Sequence, residues 1–154
     1  MSPKGHIIVE GEIHQRYNYS TGIVGERFFK ELRDRGRLIG TKCIPCNRVL
    51  VPPRLFCDKC FGRMDDWASV GDTGTIYTFT VSYLGISAER LTEPEIYAII
   101  NLDDADSGLY HMLGGIKNPG KIKIGMKVKA VYKDKKDRAG SILDIKYFKP
   151  VKDI

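Results

Sequence analysis

Cys43-Ile44-Pro45-Cys46 and Cys57-Asp58-Lys59-Cys60, separated by ten residues, hold every cysteine of this 154-residue chain. Each C-x-x-C knuckle bends the backbone so that two thiolates converge. A hairpin-length insert, with Arg48-Val49-Leu50-Val51-Pro52-Pro53-Arg54 supplying its apolar and turn residues, then brings the two pairs together into a four-sulfur shell. That donor set favours zinc, with iron as the other possible occupant. A thioredoxin-type redox dithiol is a poor alternative, because it would sit at a helix start and leave no place for a second copy ten residues on. Disulfides need an oxidising compartment. With all four positions filled by sulfur, no position is left for a bound water, so the metal reads as structural, folding a segment too short to fold alone.

Upstream of the knuckles, Gly22 to Gly36 reads as a short helix. Ile23 or Val24, Phe28 and Leu32 form an apolar stripe that Phe29 widens, Arg27, Lys30, Glu31 and Asp34 face solvent, and Gly36 is a C-terminal stop. A three-turn helix is marginal alone. It therefore either packs on the ribbon or presents Phe28, Phe29 and Leu32 to another protein, with Tyr17 and Tyr19 ahead of it as further interface aromatics.

Downstream, the period changes from helical to two. Thr75 to Tyr83 alternates, with Tyr77, Phe79, Val81 and Tyr83 on one face and Thr78, Thr80 and Ser82 on the other. Four more strand-like runs follow, at 95–103, 109–115, 127–133 and 141–148, separated by breaker clusters at 103–108, 118–120 and 134–140. Five strands without a sustained helix suggest a small closed barrel, for which the OB-fold is the common solution. The sequence thus predicts a mainly β protein in three parts. Residues 1–36 form an N-terminal segment with the helix, 37–71 the zinc ribbon, and 72–154 a five-stranded OB-fold barrel.

Charge is segregated. The formal total is +6, yet residues 73–116 carry one basic and six acidic side chains and residues 117–154 carry twelve basic and four acidic. In the fourth barrel run Lys127, Lys129 and Lys133 alternate with Val128, Ala130 and Tyr132, beside Lys117, Lys121 and Lys123 of the preceding loop. This basic third invites a nucleic acid, a membrane surface or an anionic cofactor such as a coenzyme, although an ordinary solvated lysine-rich face is the commoner explanation of such a pattern. OB-folds grip single-stranded nucleic acid with their second and third strands. Here that region is acidic, with Glu89, Glu93, Glu95, Asp103, Asp104 and Asp106, which argues against nucleic acid. No apolar run is long enough for a membrane span, and the start, Met1 to His6, lacks the apolar core of a signal peptide; a cytoplasmic protein is expected. His6 and His14 fall in the N-terminal segment, His111 sits in a strand where a structural role is the commoner one, and no G-x-S-x-G elbow, P-loop or dinucleotide fingerprint occurs, so no independent active site is expected.

The order of parts resembles one family closely: an aromatic helix, Gly36-Arg37-Leu38, Cys43-x-x-Cys46, Pro52-Pro53-Arg54, Cys57-x-x-Cys60, Trp67, Gly71-x-x-Gly74-Thr75-Ile76-Tyr77 and Thr80-Val81. This is the family of paired zinc-ribbon and OB-fold proteins, long classed as a domain of unknown function, that accompany acyl-CoA enzymes. The resemblance implies a rubredoxin-like ribbon on an OB barrel, with Cys43, Cys46, Cys57 and Cys60 as ligands of a structural metal. It also implies a non-catalytic scaffold subunit that binds acyl-CoA or CoA and partners a thiolase-fold enzyme, in archaea an acetoacetyl-CoA thiolase and a hydroxymethylglutaryl-CoA synthase. Under that reading Lys121, Lys123, Lys127 and Lys129 are the candidate CoA contacts, and Tyr17, Tyr19, Phe28, Phe29 and Leu32 the candidate partner contacts. Members usually place Gly after the second Cys of each knuckle, where this chain has Asn47 and Phe61; Asn tolerates a left-handed backbone, and Gly62 follows one residue late.

Overall fold

The computed structural model describes Gly5, Val9, Gly11 and residues 15–151; His6 and His14 lie outside the described residues. Helix α1 (Gly22–Arg35) ends where Gly36 takes φ 61°, a left-handed turn that returns its N–H to the Leu32 carbonyl. Three short strands follow, β1 (Leu38–Cys43), β2 (Arg48–Leu50) and β3 (Asp66–Val70), in the antiparallel order β2-β1-β3. Five more strands close a barrel: β4 (Thr73–Leu84), β5 (Arg90–Leu102), β6 (Gly108–Leu113), β7 (Lys127–Tyr132) and β8 (Ile145–Pro150), in the order β4-β5-β6-β8-β7 with β7 returning to β4. The third and fifth barrel strands meet in parallel at Leu113 and Phe148, and every other pairing is antiparallel, as a five-stranded Greek-key barrel requires. Among the described residues no helix is long and apolar enough to cross a membrane.

Three details depart from the strands read in the sequence. A bulge between Ile76 and Thr78 switches the inward face of β4. Ile76 is fully buried, Tyr77 is turned outward, and Phe79 and Val81 resume the inner side half-buried. Tyr77 therefore does not share the core face with Phe79, and Tyr83, beyond the barrel wall, is exposed as well. The stretch 141–144 is not strand. Ser141 caps a 3-10 turn over Ile142–Asp144, and β8 starts only at Ile145. At the other end β5 begins earlier than its apolar run, at Arg90, because the β4–β5 hairpin extends out of the barrel.

One apolar core spans helix, ribbon and barrel. Phe28 and Leu32 of α1, Leu38, Ile39, Val51 and Val70 of the ribbon, and Ile76, Ile100, Val128, Ile145 and Phe148 of the barrel belong to a single buried cluster. The acidic loop between β5 and β6 completes this joint from the barrel side. Asp106 pairs with Val49, the Ser107 hydroxyl accepts from the Val51 N–H at 2.7 Å and donates to the Val51 carbonyl at 2.8 Å, and Asp104 accepts from the Gly71 N–H at 3.0 Å. Gly114 lies against the Tyr147 ring, where a Cβ would come within 2.5 Å, so no larger residue fits that wall of the barrel.

Candidate functional site

The metal site is built by three local devices. β1 delivers Cys43 at its last residue, the turn 43–47 brings Cys46 back beside it, and β2 leads to a second knuckle at Cys57–Cys60. Each knuckle needs a left-handed residue after its second cysteine, and Asn47 (φ 50°) and Phe61 (φ 57°) supply it. Gly62 does not take that part, so the family's usual glycine is replaced in place by two non-glycine residues. Asn47 N–H donates to Ile44 O at 3.2 Å, Phe61 N–H to Cys57 O at 3.0 Å, and Lys59 N–H to Cys57 Sγ at 3.4 Å.

All four Sγ atoms lie within 4.8 Å of one another, and Cys43 and Cys60 are 3.5 Å apart. A tetrahedral shell with zinc–sulfur bonds of about 2.3 Å has edges of roughly 3.8 Å, so the four sulfurs fit one such ion. Backbone N–H groups of Cys60 and Lys59 draw the Cys57 thiol down to about 6, whereas its contact with Cys60, together with burial, pushes the Cys46 thiol up to about 12. Four sulfurs this close cannot all ionise without a cation among them, and a divalent metal supplies it. Leu50 and Met64, both fully buried, form a small apolar floor against the cysteines, and Asp58 is held beside the second knuckle by Arg48 at 2.5 Å. The set is closed, with no oxygen ligand and four sulfur donors, which is the chemistry of a structural site.

The expected ligand and partner residues are dispersed. Lys127 is paired with Asp103 at 2.5 Å and Lys129 with Asp72 at 3.5 Å, and both lysine side chains are more than half exposed, so each already holds a surface ion pair. The closure of β7 on β4 sets Lys129 opposite Thr73 and Lys127 opposite Thr75, beside the turns that carry Asp72 and Asp103. Lys121 and Lys123 are exposed and form no ion pair among the described residues. Phe28 and Leu32 are buried in the chain's own core, correcting their assignment to a partner surface; Phe29 is half-buried with its ring 5.4 Å from that of Phe28. Tyr17 and Tyr19 are 63% and 82% exposed, their ring centroids 6.0 Å apart.

On the outer face of β5 and β6, Tyr97 and Tyr110 stack with centroids 5.6 Å apart and planes 8° apart. The pairing of Ile99 with Tyr110 and of Tyr97 with Met112 sets the two rings diagonally on this face, a cross-strand relation that sequence alternation alone did not reveal. His111 beside it is buried. Its Nδ1 accepts the Met112 N–H at 2.9 Å, which leaves Nε2 to donate to the Ile142 carbonyl at 3.4 Å, a structural role. A cleft of about 430 Å³ opens between the β5 start and the β6–β7 loop, lined by Glu93, Pro94, Ile96, Ile116, Lys117 and Pro119.

A four-sulfur rubredoxin-type ribbon joined to a closed Greek-key barrel defines a two-module, metal-stapled β protein. Residues 30–65 match the family model described as the rubredoxin-like zinc ribbon domain of ChsH2, and residues 67–133 match that of its C-terminal OB-fold domain. The chain belongs to this family of paired zinc-ribbon and OB-fold proteins. Among its relatives, a DUF35 domain-containing scaffold protein of Methanocaldococcus jannaschii is 28% identical over 130 residues, covering 81% of this chain and 89% of that one. A protein of the same description from Methanothermobacter thermautotrophicus is 25% identical over 109 residues, 70% and 80% of the two chains. The crystal structure of a DUF35-family protein of unknown function from Sulfolobus solfataricus superposes with a TM-score of 0.64 at 24% identity, covering 84% of this chain and 86% of that one. A chain of the Ltp2-ChsH2(DUF35) aldolase superposes with a TM-score of 0.60 at 23% identity, covering 90% and 100%.

Proposed function

We propose that this chain is a non-catalytic scaffold or accessory subunit that binds acyl-CoA and partners a thiolase-superfamily enzyme of the acetoacetyl-CoA thiolase or hydroxymethylglutaryl-CoA synthase kind, in the cytoplasm. The observation that carries the scaffold role is the description of both archaeal relatives as scaffold proteins, over 89% and 80% of their own lengths. The aldolase in which a DUF35 chain is joined with Ltp2 supports an enzyme subunit as the partner. The metal holds the ribbon in shape and takes no part in a reaction. For the coenzyme, Lys117 lines the 430 Å³ cleft and Lys121 and Lys123 follow it in the same β6–β7 loop, exposed and without an ion pair among the described residues, so phosphates of a nucleotide tail have cations to meet on this loop. Tyr17, Tyr19 and Phe29 remain as contacts for the enzyme.

Nucleic-acid binding is the second reading, favoured by the Tyr97–Tyr110 stack on the face an OB-fold uses for bases. Its electrostatics oppose it. Glu95 is bonded to the Tyr97 hydroxyl at 2.8 Å, and Arg90, at the far end of β5, is the only cation on the two strands.

Affinity-tagged chain recovered from an extract of its own cells decides between them. A thiolase or synthase co-purifying in near-stoichiometric amount, with acetoacetyl-CoA binding weakened in a Lys121→Glu/Lys123→Glu variant, supports the scaffold. RNA alone on the column, or no binding of acetoacetyl-CoA by either form or by the recovered complex, sinks it.

A further inference from the structure

β4 leaves the barrel as one side of a two-stranded arm. β7 pairs with it only at Thr73–Thr75, and the turn at 123–126 closes on the next residue, Ile76 N–H donating to Met126 O at 2.9 Å and Gly125 N–H to Ile76 O at 2.8 Å. β5 accompanies β4 out to the Leu84–Arg90 pair, while β6 joins β5 only from Ile96 to Asn101. From Thr78 to Leu84 the outer edge of β4 has no strand beside it among the described residues. The outer edge of β5 is also open, but Glu93, Pro94 and Glu95 guard it against a further strand. β4 has no such guard. From Thr73 to Ala88 the sequence contains neither a charged residue nor a proline. A long, uncharged, β-prone edge left open is a site for strand addition.

We infer that a second copy of this chain covers it, β4 pairing antiparallel with β4 across a two-fold axis and joining two arms into one four-stranded sheet. Complementarity at the two ends selects this occupant over an unrelated strand. An antiparallel pairing about Val81 brings the tip of each arm to the 123–126 turn of the other copy. The tip is apolar with one acid and one base: Leu84 is 53% exposed, Ile86 is wholly exposed, and Glu89 stands beside Arg90, which pairs with Leu84, while Glu93 follows further along β5. The turn offers an apolar partner for Leu84 and Ile86 and cations for Glu89, with Ile124 67% exposed between Lys123 and Gly125, and Lys121 close by in the chain; neither lysine is ion-paired among the described residues. The middle of the edge is uncharged, so identical strands meet without repulsion, and a two-fold contact of this kind closes on itself without growing into a fibre.

Sedimentation velocity of the full, metal-loaded chain from about 1 to 100 µM tests this. The wild type is expected to show a dimer that Thr80→Lys, a charge placed on the exposed edge, weakens at least tenfold in Kd with the circular dichroism unchanged. Lys123→Glu should weaken it several-fold at low salt and less at high salt. Should Thr80→Lys fail to fold, Tyr83→Lys on the same edge serves instead. A wild type that stays monomeric throughout overturns the proposal and leaves the edge to another protein. A folded edge-lysine variant that dimerises like wild type overturns it equally.

Discussion

Asp106 and Val49, 57 residues apart in the chain, are joined by two hydrogen bonds from opposite directions: Asp106 N–H donates to Val49 O at 2.7 Å, and the Asp106 carboxylate accepts the Val49 N–H at 2.8 Å. A loop of the barrel thereby satisfies the open edge of the ribbon strand β2, with Ser107 doing the same for Val51. Ribbon and barrel also share one apolar core. Two small modules, each short of burial by itself, are in this way made to fold as one.

Removing the Asp106 carboxylate with Asp106→Ala should cost about 1–2 kcal/mol, the value of a charge-assisted bond to a backbone donor. Urea titration followed both by Trp67 fluorescence, which reports the ribbon, and by far-UV circular dichroism measures it. In the wild type the two probes should coincide in a single transition. If they separate, the seam does not couple the modules.

Metal loss should be more severe. Purified protein is expected to hold about one zinc or iron per chain, and Cys43→Ser or Cys57→Ser to lose it, because each removes a buried ligand. Structural four-cysteine sites contribute on the order of 10 kcal/mol or more of apparent binding energy, so chelation should unfold the ribbon and shift Trp67 fluorescence. Metal-free protein with unchanged near-UV dichroism would contradict the structural role.

Phe61 offers a substitution of the opposite sign. It holds φ 57° with its ring 79% exposed, so it carries left-handed strain and gains little from burial. Phe61→Gly should stabilise the metal-loaded protein by about 1 kcal/mol, seen as a raised melting temperature at unchanged metal content. A lowered melting temperature would mean that the exposed ring makes contacts worth more than the strain it imposes.

What could be read in the sequence was what local spacing encodes. The knuckles, the Gly36 stop and the barrel strands follow from periods of three, 3.6 and two residues. The bulge at Tyr77 could not be read, since a register shift shows only when β5 is laid beside β4. Nor could the fates of Lys127 and Lys129, whose partners Asp103 and Asp72 are brought to them by barrel closure. The acidic loop read as a breaker and a phosphate-repelling segment is also the clamp on the ribbon, and nothing in its composition distinguishes those roles.

The two fates of the aromatic N-terminal region separate cleanly by stability. Leu32 is fully buried between ribbon and barrel, so Leu32→Ala should cost 2–5 kcal/mol in the range usual for core truncations. Tyr19, 82% exposed, should change stability by less than about 0.5 kcal/mol when made Ala. Thermal melts of both variants check this. A neutral Leu32→Ala would return the helix stripe to the role of a partner surface.

Asp144 gives the fold a defined response to acid. Its side chain is fully buried, which disfavours its charge, but N–H groups of Ala139, Gly140 and Ser141 at 2.9, 2.8 and 3.2 Å outweigh that cost and hold its carboxyl below the usual value. A carboxyl depressed in the folded state adds stability above its unfolded value of about 3.9, and that stability is lost as pH falls through the folded value. The loop it organises packs on α1, where Gly140 faces Phe29 and Arg33. Asp144→Asn should therefore destabilise the protein at pH 7 by about 1.5–3 kcal/mol and destabilise it much less near pH 2. Urea midpoints measured across that range for both chains give the difference directly. If the gap between wild type and variant widened on acidification, Asp144 would be neutral in the native state and the three N–H groups would be holding an uncharged acid.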